Sequence, residues 1–389
     1  MSRRLPSLRR TTVSAGFALA FGALAATPAG AATSAVLDCP LARTPYSADT
    51  PIIDLLIDKR AKAMVDATGL LAKAPPVALR TTPPSFASIL SLRVATRTLA
   101  LDAAVIADLE KRLAALPIRP EDSAARCARY EADARQPLAV PAGRPALLIF
   151  DRSNGFRDGP SVEAATEALR AIGERRGWSF VFSSSAGDFT PRNLKRFRAV
   201  LWNNVSGDML TMGQRSALRR YIERGGGFAA IHGSGGDPLY LWDWYVDELI
   251  GARFIGHPDA HQKGRVLVEN PDDPLTAGIA HDWAPVEEWY SFAKSPRGPR
   301  TRVLLSLDET SYKPTASGRD LSMGDHPIAW IRCVGRGRSF YSAIGHRPEN
   351  YRDPNNVRLI EQGIAWSMGL SPSGCRRDGS MSASLPGTK

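Results

Sequence analysis

Four of the six histidines stand in short motifs marked by glycine or proline. His232 follows Gly226-Gly227-Phe228-Ala229-Ala230-Ile231, His257 lies in Gly256-His257-Pro258, His326 opens His326-Pro327-Ile328-Ala329-Trp330, and His346 follows Gly345. Two carboxylates, Glu287 and Glu288, stand before Trp289-Tyr290. Each motif lies where an apolar or alternating run ends. Strand ends of an α/β sheet open onto a common crevice, so His and Glu at several of them predict one shared pocket. Imidazoles beside a carboxylate suit general acid/base chemistry near neutral pH. Two imidazoles and a carboxylate also suit a divalent cation, zinc above all.

Local spacing narrows the candidates. His232-Gly233-Ser234-Gly235 does not meet G-x-S-x-G, which argues against Ser234 as a nucleophile. No lysine follows these glycines as in a phosphate-binding loop. His257 and His261 have the i,i+4 spacing of a helical zinc pair, but Pro258 and Gly264 argue for a loop, and only His257 is retained. Glu287 reads as a solvated residue and Glu288 as the functional one. The expected catalytic set is His232, Glu288, His326 and His346, with Asp237 close by. Two versions remain open: His232, His346 and Glu288 hold a metal beside an activated water, or a histidine acts directly while Glu288 orients it. Trp289, Tyr290, Trp242 and Trp244 offer flat faces on which a ligand ring can stack, although core packing is the commoner use of such residues.

The elements that must position these groups begin near residue 146. The run 146–150 is continuously apolar, as in a strand buried on both faces. An amphipathic helix is predicted over 161–176, stopped by Gly177, then strands at 179–182 and 199–202. Thr211-x-x-Gln214 is a capping box opening a further helix, and 228–231 is a fourth strand. Strands follow at 266–268, 303–307, 328–334 and 339–343, with a closing helix at 355–368. Alternating strands and helices predict a largely parallel α/β sheet. Residues 36–137 show helical spacing and no recognisable chemistry, 136–145 read as a linker, and 371–389 as a flexible tail.

The remaining composition bounds location and partners. Arg3, Arg4, Arg9 and Arg10 precede the apolar run 13–26, and Ala29-Gly30-Ala31 is an A-x-A cleavage site. Residues 1–31 thus read as a secretory signal peptide, predicting a periplasmic or extracellular protein. Its removal lowers the formal charge from +11 to +7. The remaining basic residues are scattered and match no nucleic-acid-binding pattern. No later segment reaches transmembrane length, so no stable membrane insertion is expected. An exported chain with four cysteines predicts disulfides, and three connectivities are possible. Cys39–Cys127 and Cys333–Cys375 are preferred, because each would staple an end of the chain to a structured segment.

As a set, the motifs from about 144 to 370 resemble the ThuA-like (trehalose-utilisation) domain, a branch of the class I glutamine amidotransferase-like superfamily. The resemblance is carried by Asn154-Gly155-Phe156-Arg157, Leu201-Trp202-Asn203-Asn204, Gly225-Gly226-Gly227-Phe228, Ile231-His232, Trp242-Asp243-Trp244-Tyr245, Gly256-His257-Pro258, Glu288-Trp289-Tyr290, Leu307-Asp308-Glu309-Thr310, Met323-Gly324-Asp325-His326-Pro327 and Gly345-His346. It implies a flavodoxin-like, doubly wound sheet and an association with disaccharide or keto-sugar use. It also implies that glutamine hydrolysis is absent, since His232 stands near the position of the amidotransferase cysteine. Asp158 stands where the family commonly has histidine, and would bind a metal or a sugar hydroxyl. The expected substrate-binding set is therefore Asp158, Asp237, His257, Trp289 and Tyr290. Two function classes follow: a carbohydrate-active hydrolase, lyase or isomerase, and a non-catalytic carbohydrate-binding module.

Overall fold

The computed structural model describes residues 38–99, 102–371, 373–376 and 379–381. The predicted signal peptide, residues 1–31, and most of the predicted tail lie outside the described residues. An eight-stranded sheet organises the rest. Its strands are β1 (Ala146–Phe150), β2 (Ser179–Ser183), β3 (Ala199–Asn203), β4 (Gly227–Ile231), β5 (Val266–Val268), β6 (Thr301–Leu307), β7 (Pro327–Val334) and β8 (Gly337–Ser342). Their spatial order is β2-β1-β3-β4-β8-β7-β6-β5. Neighbours from β2 to β8 pair in parallel, whereas β8-β7, β7-β6 and β6-β5 pair antiparallel. The sheet is thus mostly parallel, as the sequence pattern predicts, with an antiparallel flank formed by the later strands. The reason is local: Gly335-Arg336 alone joins β7 to β8, too short for the crossover that parallel pairing requires.

Every residue of β1, β3 and β4 is buried, which explains their unbroken apolar runs. Helix α6 (Gly159–Arg176) ends at Gly177, whose left-handed φ of 65° closes the helix without a Cβ penalty. Helix α7 (Met212–Glu223) has the predicted capping box: Thr211 Oγ accepts from Gln214 N and Gln214 Oε1 accepts from Thr211 N. Helix α8 (Pro354–Ser367) packs against β8 and β4. Strand order reverses between β1 and β3, so a crevice opens beyond their carboxyl ends.

The preceding region is partly helical, with α1 (Ile52–Ile57), α2 (Lys59–Asp66), α3 (Leu92–Leu99), α4 (Ala103–Ala114) and α5 (Pro120–Cys127). It docks on the sheet region through polar contacts. Tyr130 Oη donates to Asp208 at 2.8 Å, Ser85 N donates to the Asn154 carbonyl at 3.0 Å, and Gln214 Nε2 donates to the Glu131 carbonyl at 2.9 Å. Both preferred disulfides form: Cys39–Cys127 ties the start of this region to α5, and Cys333–Cys375 ties the segment after α8 to β7. Among the described residues, no helix is long and apolar enough to cross a membrane.

Candidate functional site

The site gathers at the carboxyl ends of β1, β3, β4 and β8 around one carboxylate. His232 directly follows β4 with φ 40°, a conformation uncommon for a residue with a side chain. Three contacts fix it: Nδ1 donates to the Ala343 carbonyl at 2.7 Å, the ring stacks on Tyr290 at 4.2 Å, and Tyr341 Oη donates to its backbone carbonyl. Nε2, the remaining ring nitrogen, lies 3.3 Å from Glu288 Oε2. His346 follows β8, and its Nδ1 lies 3.1 Å from the same oxygen. Gly345 is required between them: a Cβ there would lie 2.4 Å from Tyr351 Oη and 3.1 Å from the Cβ of His232.

The other carboxylate oxygen, Glu288 Oε1, faces His257 Nε2 at 3.3 Å and His261 Nε2 at 3.9 Å. His257 Nδ1 donates to the Pro258 carbonyl at 2.8 Å. The loop that argued against a helical pair therefore folds back and delivers both imidazoles. Burial would raise the Glu288 carboxyl, but His232, His346 and His257 around it outweigh burial and hold it well below the usual carboxylate range. Burial and the neighbouring His346 push His261 down.

Glu287 corrects the sequence reading: it is fully buried, not solvated. Its Oε1 accepts from Glu288 N at 2.7 Å and His346 N at 3.1 Å, and its Oε2 accepts from Gly345 N at 2.9 Å and Asn350 Nδ2 at 2.7 Å. It thereby fixes the backbone of two site residues. Trp289 is also corrected. It is buried away from the pocket, donating to the Gln262 carbonyl at 2.8 Å. Successive side chains of an extended segment point in opposite directions, so Glu288 and Tyr290 face the cavity while Glu287 and Trp289 face away.

His326 does not join the cluster. Its Nε2 donates to the Tyr290 carbonyl at 2.9 Å, and its Nδ1 lies 2.9 Å from Glu309 Oε1 and 3.2 Å from Tyr312 Oη. Both nitrogens are occupied behind the Tyr290 backbone, where His326 positions that segment. Trp242 packs on Tyr245 and Arg215, and Trp244 on Arg219; neither lines the cavity.

The cavity in front of Glu288 has a volume of about 360 Å³. His232, His257, Glu288 and His346 form one side. Asp237 lies farther along, with Oδ1 2.5 Å from Ser206 Oγ and Oδ2 2.6 Å from Gly207 N; burial pushes its carboxyl up to about 7. Asp158 lines the rim beside Ser161, whose hydroxyl lies between the Asp158 carboxylate and the His346 carbonyl. The opposite side is apolar and went unrecognised in the sequence: Phe86, Ile89 and Leu90 of the N-terminal region meet Phe156 and Phe254. Phe86 stacks on Phe156 at 5.0 Å, and Phe156 stacks on the His346 ring at 6.3 Å. Only the neighbouring Asn154-Gly155-Phe156-Arg157 motif hinted at this wall.

A family model described as trehalose utilisation, ThuA, matches residues 146–367. The chain belongs to the ThuA family. Among solved structures, it is similar to a protein of Bacteroides uniformis described as ThuA-like, at 25% identity and a TM-score of 0.50, covering 59% of this chain and 94% of that one. A second ThuA-like structure, from Parabacteroides merdae, matches at 15% identity and a TM-score of 0.44, covering 58% of this chain and 90% of that one. The search of curated proteins found no match. The ThuA match begins at β1, so Phe86, Ile89 and Leu90 lie outside it although they line the same cavity. The two disulfides leave no free cysteine among the described residues.

Proposed function

We propose that the chain is an exported enzyme acting on a carbohydrate, by hydrolysis, elimination or isomerisation of a disaccharide or keto-sugar, on a flavodoxin-like, doubly wound core. The observation that carries this reading is Glu288, a mostly buried carboxylate with imidazoles of His232, His257 and His346 within 3.3 Å, facing a cavity of about 360 Å³. The family's description, trehalose utilisation, supplies the substrate class. Such a cluster can take and return a proton at a sugar hydroxyl or at a carbon beside a keto group. A purely binding pocket has little use for several imidazoles around one acid, which favours the enzyme over the module. Export is supported by the signal-like sequence of residues 1–31 and by two disulfides, which persist in oxidising compartments.

The test is a panel of disaccharides and their 3-keto derivatives, followed for both binding and product formation with wild type and Glu288→Gln. Turnover lost in Glu288→Gln is expected. Saturable binding without turnover would convert the reading to a binding module, and neither binding nor turnover across the panel would remove the carbohydrate assignment. N-terminal sequencing of the secreted protein tests export; a chain retained in the cytoplasm and still starting at Met1 would overturn it.

A further inference from the structure

The tautomers around Glu288 carry a consequence for what lies between these groups. Backbone carbonyls only accept, so the ring proton of neutral His232 sits on Nδ1, facing Ala343, and that of neutral His257 sits on Nδ1, facing Pro258. Each Nε2 is then left with a lone pair, and both lone pairs point at oxygens of one carboxylate, each at 3.3 Å. Lone pair against lone pair is repulsive unless something positive lies between. His232 Nε2 is buried and has no hydrogen-bond partner. Among the described residues, the ion-pair partners of Glu288 are all histidines, with neither lysine nor arginine to supply a fixed positive charge.

Distances separate a proton from a metal. A charge-assisted N–H···O bond closes to about 2.7–2.9 Å. Two donors on one tetrahedral zinc, each about 2.0–2.1 Å from it, stand roughly 3.3 Å apart. The observed separations from Glu288 Oε2 are 3.3 Å to His232 Nε2 and 3.1 Å to His346 Nδ1, and the three ligand atoms lie within 4.8 Å of one another. The backbone carbonyl behind His232 is the outer-shell partner that metal-bound imidazoles commonly have, fixing both tautomer and ring orientation. Glu287 does the same for the other two by holding the backbone of Glu288 and His346.

We propose that His232 Nε2, His346 Nδ1 and Glu288 Oε2 form a binding site for a divalent first-row cation, with a coordination position left toward the cavity for water or a substrate oxygen. Two imidazoles and one carboxylate suit zinc, and manganese or iron equally in donor type. His257 and His261, on the other carboxylate oxygen, stay outside the ligand set: the His257 side chain is 40% exposed, so a proton or water there can relieve the repulsion that the buried His232 cannot. The inference deepens the carbohydrate reading by sharing its pocket, but its test uses no sugar, so the two can fail separately.

The full mature chain is prepared without a polyhistidine tag, stripped with chelator, and titrated calorimetrically with Zn2+. One cation per chain is expected. His232→Ala and His346→Ala should each weaken it by more than about 100-fold, beyond the cost of losing a group that only orients a ligand. His281→Ala, an exposed histidine elsewhere, should leave it unchanged. Thermal unfolding of each variant shows whether it folds. If His232→Ala does not, the visible spectrum of Co2+ bound to the unmodified chain decides: the bands of a four- or five-coordinate nitrogen–oxygen site support the proposal. A spectrum of hydrated Co2+, or Zn2+ affinity untouched by His346→Ala and Glu288→Gln, overturns it. Metal uptake without any sugar binding would keep the cation and discard the carbohydrate reading.

Discussion

Replacing Glu287 by glutamine changes one oxygen to an NH2 and almost no volume. At a solvated position such a swap shifts stability by no more than about 0.5 kcal/mol. Here each carboxylate oxygen accepts two hydrogen bonds, from Glu288 N and His346 N on one side and from Gly345 N and Asn350 Nδ2 on the other. Whichever way the amide turns, its NH2 meets two donors. Each donor left unsatisfied in a buried site costs about 1–3 kcal/mol, so Glu287→Gln should destabilise the fold by about 2–6 kcal/mol. At about 2–4 °C per kcal/mol, the thermal midpoint should fall by roughly 4–24 °C. Urea unfolding followed by circular dichroism, with matched thermal melts, measures both. The exposed-side control is Glu163→Gln on α6, which should change little. A Glu287→Gln variant within about 0.5 kcal/mol of wild type would refute the four-donor account and return Glu287 to the solvated role its sequence suggested.

Three further outcomes are expected. Non-reducing peptide mapping should recover Cys39–Cys127 and Cys333–Cys375 as cross-linked pairs; removing the first, which spans 88 residues, should cost about 2–5 kcal/mol, and four free thiols would contradict both bonds. Asp237 has a folded carboxyl raised to about 7 by burial, so the native state holds a proton that the unfolded chain releases near pH 4. Its stabilising contribution is full below that pH and is lost as pH rises toward 7; Asp237→Asn should flatten this part of the stability–pH curve, and parallel curves would remove the raised carboxyl. Phe86→Ala should weaken any ligand that reaches the apolar wall, by about 1–3 kcal/mol if the ring is in contact, whereas unchanged affinity across the sugar panel would show that the wall is not used.

Much of the sheet was legible because parallel strands buried on both faces must be apolar throughout, as β1, β3 and β4 are. Glycine and capping signals marked helix ends because they have local causes, such as the left-handed Gly177. What failed was orientation. Glu287 and Glu288 are the same residue type one position apart, and only the pleat decides which faces the cavity. Trp289 was misassigned for that reason. His326 sits in a motif as pronounced as the others, yet the Tyr290 backbone stands between it and the cavity. His261 was discounted because a proline-containing loop has no periodicity to read, and its approach to Glu288 depends on how that loop folds back. Phe86 and Ile89 lie far along the chain from the motifs, and no local pattern reports such a tertiary meeting.

The cavity has two authors. Its reactive side is written between residues 232 and 346, within the stretch matched by the family model, and part of its greasy side is written at 86–90, before that stretch begins. Changes in one text need not disturb the other. The leading segment could be exchanged for another and alter which molecules fit, while the acid and its imidazoles kept their positions. The ring of Phe156 is the hinge between the two, touching Phe86 on one face and His346 on the other. A shorter version starting at β1 would keep the reactive groups but leave that ring bare and the cavity open along one flank, so selectivity would drop before chemistry did.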